Sequence, residues 1–180
     1  MIPNGKVAII AQDAGGSEIL SSWLRRNPRD YVSILGVPAE DIFKRKIPNL
    51  SQGSLNEAIA ECDWVLTGTG NSNFEHNAIL SAKKSGVYVV SFLDHWTKYR
   101  DRFLKKGIEA FPDEIWVGDE HALKLVNKKI PQVKSHLVPN PYLMDVVEDF
   151  SNFKHTINVE EKMLYVSTNL DDHYKGPESN

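Results

Sequence analysis

Mostly apolar residues run from Val87 to Leu93 without a polar alternation and stop at Asp94-His95-Trp96. Such a run, β-branched and aromatic, marks a strand buried on both faces, and strands of that kind lie inside a sheet covered by helices on both sides. Similar runs occupy Lys6–Ala11, Tyr31–Leu35, Cys62–Thr67, Glu114–Val117 and Val133–Val138. Helical spacing lies between them: Ile19, Leu20, Trp23 and Leu24; a short helix within Val37–Ser54; Leu55–Ala60; Phe74–Ser85; His121–Lys129; and Leu143–Phe150. Six strand-helix pairs in succession predict an α/β chain: a Rossmann-like, doubly wound parallel sheet of about six strands with helices on both faces.

Parallel strands send their carboxyl ends to one edge, where ligands of open α/β sheets bind. Five turns are expected to meet there: Gly15-Gly16, Gly68-Thr69-Gly70, Asp94-His95-Trp96, Gly118-Asp119 and Asn140-Pro141-Tyr142. Glycines let backbone approach a bound group, and free N–H groups at a helix start attract an anion. A plainer reading competes at each turn, with Ser17 or Asp94 capping a helix and Trp96 filling a seam. The basic stretch Thr97–Lys106, with Tyr99, Phe103 and Leu104 interleaved, reads as an amphipathic helix with its cations in water; gripping a phosphate or lying on an anionic surface is its alternative. Lys44-Arg45-Lys46 reads as a solvated charge run.

Composition narrows the function classes. With 180 residues, 41% hydrophobic and 25% charged, the chain has room for one sizeable domain and is not disordered. A net charge of -3 gives no general attraction to nucleic acid. Cys62 stands alone, no apolar run approaches a membrane span, and the first strand begins almost at Met1 with no room for a signal peptide; we expect a cytoplasmic protein whose membrane contact, if any, is peripheral. No metal is expected, since the six histidines lack zinc-site spacing. Neither a Gly-x-Ser-x-Gly elbow nor a Gly-x-Gly-x-x-Gly turn occurs, which argues against a serine hydrolase and against NAD. Residues 1–150 are read as one domain and 151–180 as a linker with one more strand, Met163–Ser167, which either opens a second domain or adds to the edge of the first.

Taken in order, Asp13–Glu18, Gly68-Thr69-Gly70 with Phe74-Glu75, Phe92–Trp96 with Tyr99 and Arg102-Phe103, Pro112–Asp119 and Val138–Tyr142 resemble the amino-terminal half of GT-B-type glycosyltransferases and of the related UDP-N-acetylglucosamine 2-epimerases. The resemblance covers residues 6–150 in layout. It implies a domain that holds the carbohydrate acceptor and the catalytic base, facing a second domain or subunit that holds a nucleotide sugar as substrate; no cofactor is implied. Gly15 and Gly16 would form the glycine-rich loop below the cleft, and the Met163–Ser167 strand would open the donor half. Asp13 and Glu18 stand where several relatives carry histidine or arginine.

Sugar transfer needs a base for an acceptor hydroxyl, and groups that steady the leaving diphosphate. Asp94, His95 and Asp13 are the candidate bases. Gly15, Gly16, Gly68, Thr69, Gly70, Glu75, Trp96, Arg102, Asp119, Asn140 and Tyr142 are the candidate substrate contacts, with Asn140 and Tyr142 suited to bind hydroxyls or stack on a sugar face. The expected setting is cell-surface polysaccharide or glycan synthesis, this half alone being inactive. A sugar-nucleotide epimerase or hydrolase and a non-catalytic binding subunit are the alternatives.

Overall fold

The computed structural model describes residues 2–151. The expected strand Met163–Ser167 and its linker from 152 onward lie outside the described residues. In chain order the elements are β1 (Val7–Ala11), α1 (Ala14–Arg26), β2 (Tyr31–Leu35), α2 (Ala39–Lys46), α3 (Leu55–Glu61), β3 (Trp64–Thr67), α4 (Phe74–Lys84), β4 (Tyr88–Leu93), β5 (Leu104–Lys105), β6 (Ile108–Glu109), β7 (Glu114–Val117), α5 (Glu120–Lys129), β8 (Lys134–Leu137) and α6 (Pro141–Ser151). Six of the strands form one parallel sheet in the order β2-β1-β3-β4-β7-β8, and β5 and β6 form a separate antiparallel hairpin. The chain is therefore Rossmann-like α/β, with helices on both faces of a parallel sheet.

The pleat sorts the core. Val7, Ile9 and Ala11 face the layer containing α1 and α2, whereas Ala8 and Ile10 face the layer of α3, α4 and α5. On the first face Trp23, Trp64 and Trp116 pack with ring centroids 5.6–6.0 Å apart, each 1% exposed. The sixth helix crosses back from the β8 edge to pack on α1, where buried Asp145 receives Arg25 and Arg26 at 2.6 Å. Sheet order reverses at β1, which has β2 on one side and β3 on the other, so the switch point lies between β1 and β3.

Caps set where the helices begin. Asp13 accepts from Gly16 N–H, Ser54 and Glu57 form a reciprocal capping box, Asp119 accepts from Ala122 N–H, and Asn140 Oδ1 accepts from Tyr142 and Leu143 N–H. Ser17 is not the first cap: its hydroxyl donates to the Asp13 carbonyl from inside the first turn. Gly15 and Gly16, expected in a loop, belong to that turn, because the Asp13 cap starts the helix ahead of the apolar periodicity.

Two expectations fail. Thr97–Lys106 is not a helix: a single 3-10 turn at Asp101–Phe103 leads into the hairpin, whose tip Lys106-Gly107 has φ of 50° and 79°. Two successive positive φ values suit a two-residue hairpin turn and end any helix. Tyr99 and Phe103 are buried as expected, whereas Leu104 is half exposed. The run Lys44-Arg45-Lys46 is not merely solvated: Lys46 pairs with Glu18, donates to Ser22 Oγ at 3.0 Å, and sits 4.9 Å above the Tyr142 ring.

Candidate functional site

Parallel pairing brings the five predicted turns to one rim, the carboxyl edge of the sheet. The loops after β1 and β3 touch: a Cβ on Gly16 would lie 3.3 Å from the Gly68 Cα. A Cβ on Gly70 would lie 3.1–3.3 Å from carboxylate oxygens of both Glu75 and Asp13. Side chains at these positions would push the loops apart.

Three carboxylates gather under that contact. Asp13 caps α1; burial, and then the neighbouring Asp94, raise its pKa above the ordinary carboxylate range. Glu75, 2% exposed, accepts from Gln12 N–H at 2.8 Å with Oε1, while its Oε2 has no hydrogen-bond partner among the described residues; burial raises its pKa too. Asp94 ends β4 and caps no helix, since the residues after it are irregular. Its side chain, 4% exposed, accepts from Thr69 Oγ1 at 3.2 Å, faces Arg102 Nη1 at 3.8 Å, and lies 3.4 Å from His95 Nε2.

Arg102 is itself anchored. Its Nη1 donates to the Thr69 carbonyl at 2.6 Å and its Nε to the Thr97 carbonyl at 3.4 Å. The hairpin that follows is tied to the same rim, with Lys105 Nζ donating to the Asn71 carbonyl at 3.0 Å and His76 Nε2 lying 2.9 Å from the Ile108 carbonyl. The buried Asp94 thus has a fixed position, and the imidazole beside it is half exposed at 52%.

Next to Asp94 a cavity of about 180 Å³ opens between the ends of β4, β7 and β8. Phe92, Leu93 and Ala122 form apolar parts of its lining, and Asp94, His95, Trp96, Gly118, Asp119, Asn140 and Leu143 complete the wall. Trp96 donates its indole N–H to Asp119 Oδ2 at 2.8 Å, so the ring does not fill a seam but stands 63% exposed. Bonds from Ala122 N–H and the Trp96 indole hold the Asp119 carboxyl below its usual range. The backbones of Gly118 and Asn140 abut, a Cβ on Gly118 falling 3.0 Å from the Asn140 Cβ.

Of the predicted site residues, Asp94, His95, Trp96, Asp119 and Asn140 line this cavity. Asp13, Gly15, Gly16, Gly68, Thr69, Gly70, Glu75 and Arg102 surround the carboxylates behind it. Tyr142 is apart, under Lys46 of α2. Sequence reasoning missed Leu143 and Gln12. Leu143 was legible as the third residue after the cap Asn140; Gln12 carried no signal, since its role is a backbone N–H given to Glu75. Among the described residues no three of His, Cys, Asp and Glu group so as to hold a metal ion, and no helix is long and apolar enough to cross a membrane.

No protein-family model matches the chain, and no curated protein matches it. Among solved structures it is similar to one titled MT0777, at 13% identity over 84% of this chain and 100% of that one with a TM-score of 0.41. It is also similar to a de novo designed Rossmann 2x3 fold protein solved by NMR in solution, at 12% identity over 87% and 100%, with a TM-score of 0.31. The fold assignment, Rossmann-like α/β, rests on the parallel six-stranded sheet itself.

Proposed function

We propose that residues 1–150 are the acceptor-side domain of a GT-B-type sugar-transferring enzyme. The observation that carries the reading is the exposed imidazole of His95 held 3.4 Å from the buried Asp94, which Thr69 and Arg102 fix in turn. A carboxylate this close to an imidazole attracts the positive charge that forms when the ring takes up a proton, which is what a general base needs. His95 takes the proton of an acceptor hydroxyl. The oxygen then attacks the anomeric carbon as the bond to the leaving diphosphate breaks. Asp13, its pKa raised, is the other base candidate in reach of the rim.

The motif resemblance supplies the rest: a nucleotide sugar held by a second domain or subunit, and a setting in cell-surface glycan synthesis in the cytoplasm. Carbohydrate is the partner of this half and no cofactor takes part.

Calorimetric titration of the 180-residue chain separates the halves. Saccharides are expected to bind weakly, with binding lost in Asp94→Asn, and UDP- and CMP-sugars are expected not to bind. Tight nucleotide binding by this chain alone would contradict the acceptor-side assignment.

A further inference from the structure

We infer that the cavity beside Asp94 is the subsite for a single sugar ring that bears a free amine and no phosphate. The inference rests on the acceptor-side reading and narrows it to a substrate class.

Size comes first. About 180 Å³ is many times the roughly 10–15 Å³ that admits one water, space enough for one ring. One wall is an indole whose N–H is already satisfied by Asp119 and which remains largely exposed. Trp23, Trp64 and Trp116 are each 1% exposed, so the 63% exposure of Trp96 departs from how this chain otherwise treats tryptophan. An indole held by its N–H and open on a face is a platform for the C–H face of a sugar ring and for a nearby cation.

Charge decides which ring. Asp94 and Asp119 both line the cavity, the Asp119 carboxyl is held below its usual range by its two hydrogen bonds, and among the described residues the one basic group on the wall is His95. Arg102 is not on the wall; it is spent on the Thr69 and Thr97 carbonyls and faces Asp94. Helix starts, where phosphates usually bind, already spend N–H groups on carboxylate or amide caps. Asp119 occupies the Ala122 N–H, Asn140 occupies those of Tyr142 and Leu143, and Asp13 occupies that of Gly16. An ammonium group entering here meets two carboxylates and the exposed indole, whereas a phosphate meets the same two carboxylates as like charges.

Acrylamide quenching of tryptophan fluorescence on the 180-residue chain tests this, because Trp96 is the exposed one of the four. Glucosamine is expected to shield Trp96, with glucose and glucosamine 6-phosphate weaker by about tenfold or more, a difference of about 1.4 kcal/mol. Trp96→Phe should abolish the shielding while leaving the melting temperature unchanged. Asp119→Asn, checked for folding by its melting curve, should remove the preference for the amine. Glucose binding as well as glucosamine overturns the amine assignment and leaves the sugar-transfer reading standing. Equal binding of glucosamine 6-phosphate overturns the exclusion of phosphate. If no probe shields Trp96, the subsite is wrong, while the calorimetric comparison of saccharides with nucleotide sugars still judges the acceptor-side reading.

Discussion

Gly15 passes so close over Asp94 that a Cβ on it would stand 2.6 Å from the carboxylate oxygen Oδ2. Gly15 lies in the first turn of a helix, where alanine would ordinarily add up to about 1 kcal/mol of stability. Here the carboxylate cannot swing away freely, being held by Thr69 and Arg102. Gly15→Ala should therefore melt within about 1 kcal/mol of the parent yet, in an enzyme completed by the donor half, lose about 100-fold in sugar transfer, the scale of a 1 Å misplacement. Melting curves and transfer rates check it together; unchanged transfer would show that the position of Asp94 does not matter.

Glu75 should make the protein less stable as pH rises. Burial raises its pKa, so the folded chain holds this proton more tightly than the unfolded one. Its contribution is whole below the ordinary carboxylate range and is lost as pH climbs through the folded value. Glu75→Gln keeps an acceptor for Gln12 N–H and removes the charge, so it should gain stability at neutral pH and show a flatter profile. Glu75→Ala leaves that N–H unpaired at a cost of about 1–3 kcal/mol. Urea unfolding across a pH series decides; parallel profiles for parent and Gln variant would refute the buried charge.

The pairing of α6 with α1 has the opposite sign. Burial alone pushes the Asp145 pKa up, but hydrogen bonds from Ser22, Arg25 and Arg26 outweigh it and leave the value lowered. Its stabilisation is therefore complete above the unfolded carboxylate value of about 3.9 and is lost as pH falls through the folded value. Asp145→Asn should cost about 2 kcal/mol at neutral pH and nothing in strong acid. Denaturant midpoints at the two extremes measure the difference.

At the hairpin tip Gly107 has φ of 79° and open space where a Cβ would project. Gly107→Ala should cost about 1 kcal/mol through backbone strain alone, and Gly107→Asn distinctly less. Thermal melting of the two variants ranks them; equal melting points would remove strain as the cause.

The sheet was legible because its central strands are buried on both faces, and such strands write themselves as unbroken apolar runs: Val7–Ala11, Trp64–Thr67 and Val89–Leu93 are buried throughout. The rim followed from the sheet, since parallel strands leave their ends no other edge. What lay beyond was set by single hydrogen bonds. Asp13, rather than Ser17, starts α1, and a pair of positive φ angles turns Lys106-Gly107 into a hairpin in a stretch whose periodicity also fits a helix. The bonds Trp96–Asp119 and Gln12–Glu75 join residues far apart in sequence, and no local pattern records them.

The return of α6 onto α1 also imposes a timetable. Arg26 waits for a carboxylate 119 residues downstream, and the last wall of the cavity, Asn140 with Leu143, arrives in the same segment. On the ribosome, where chains emerge from their amino end, every strand of the sheet is synthesised before that last wall. The cavity is therefore complete only in chains whose synthesis has reached the sixth helix.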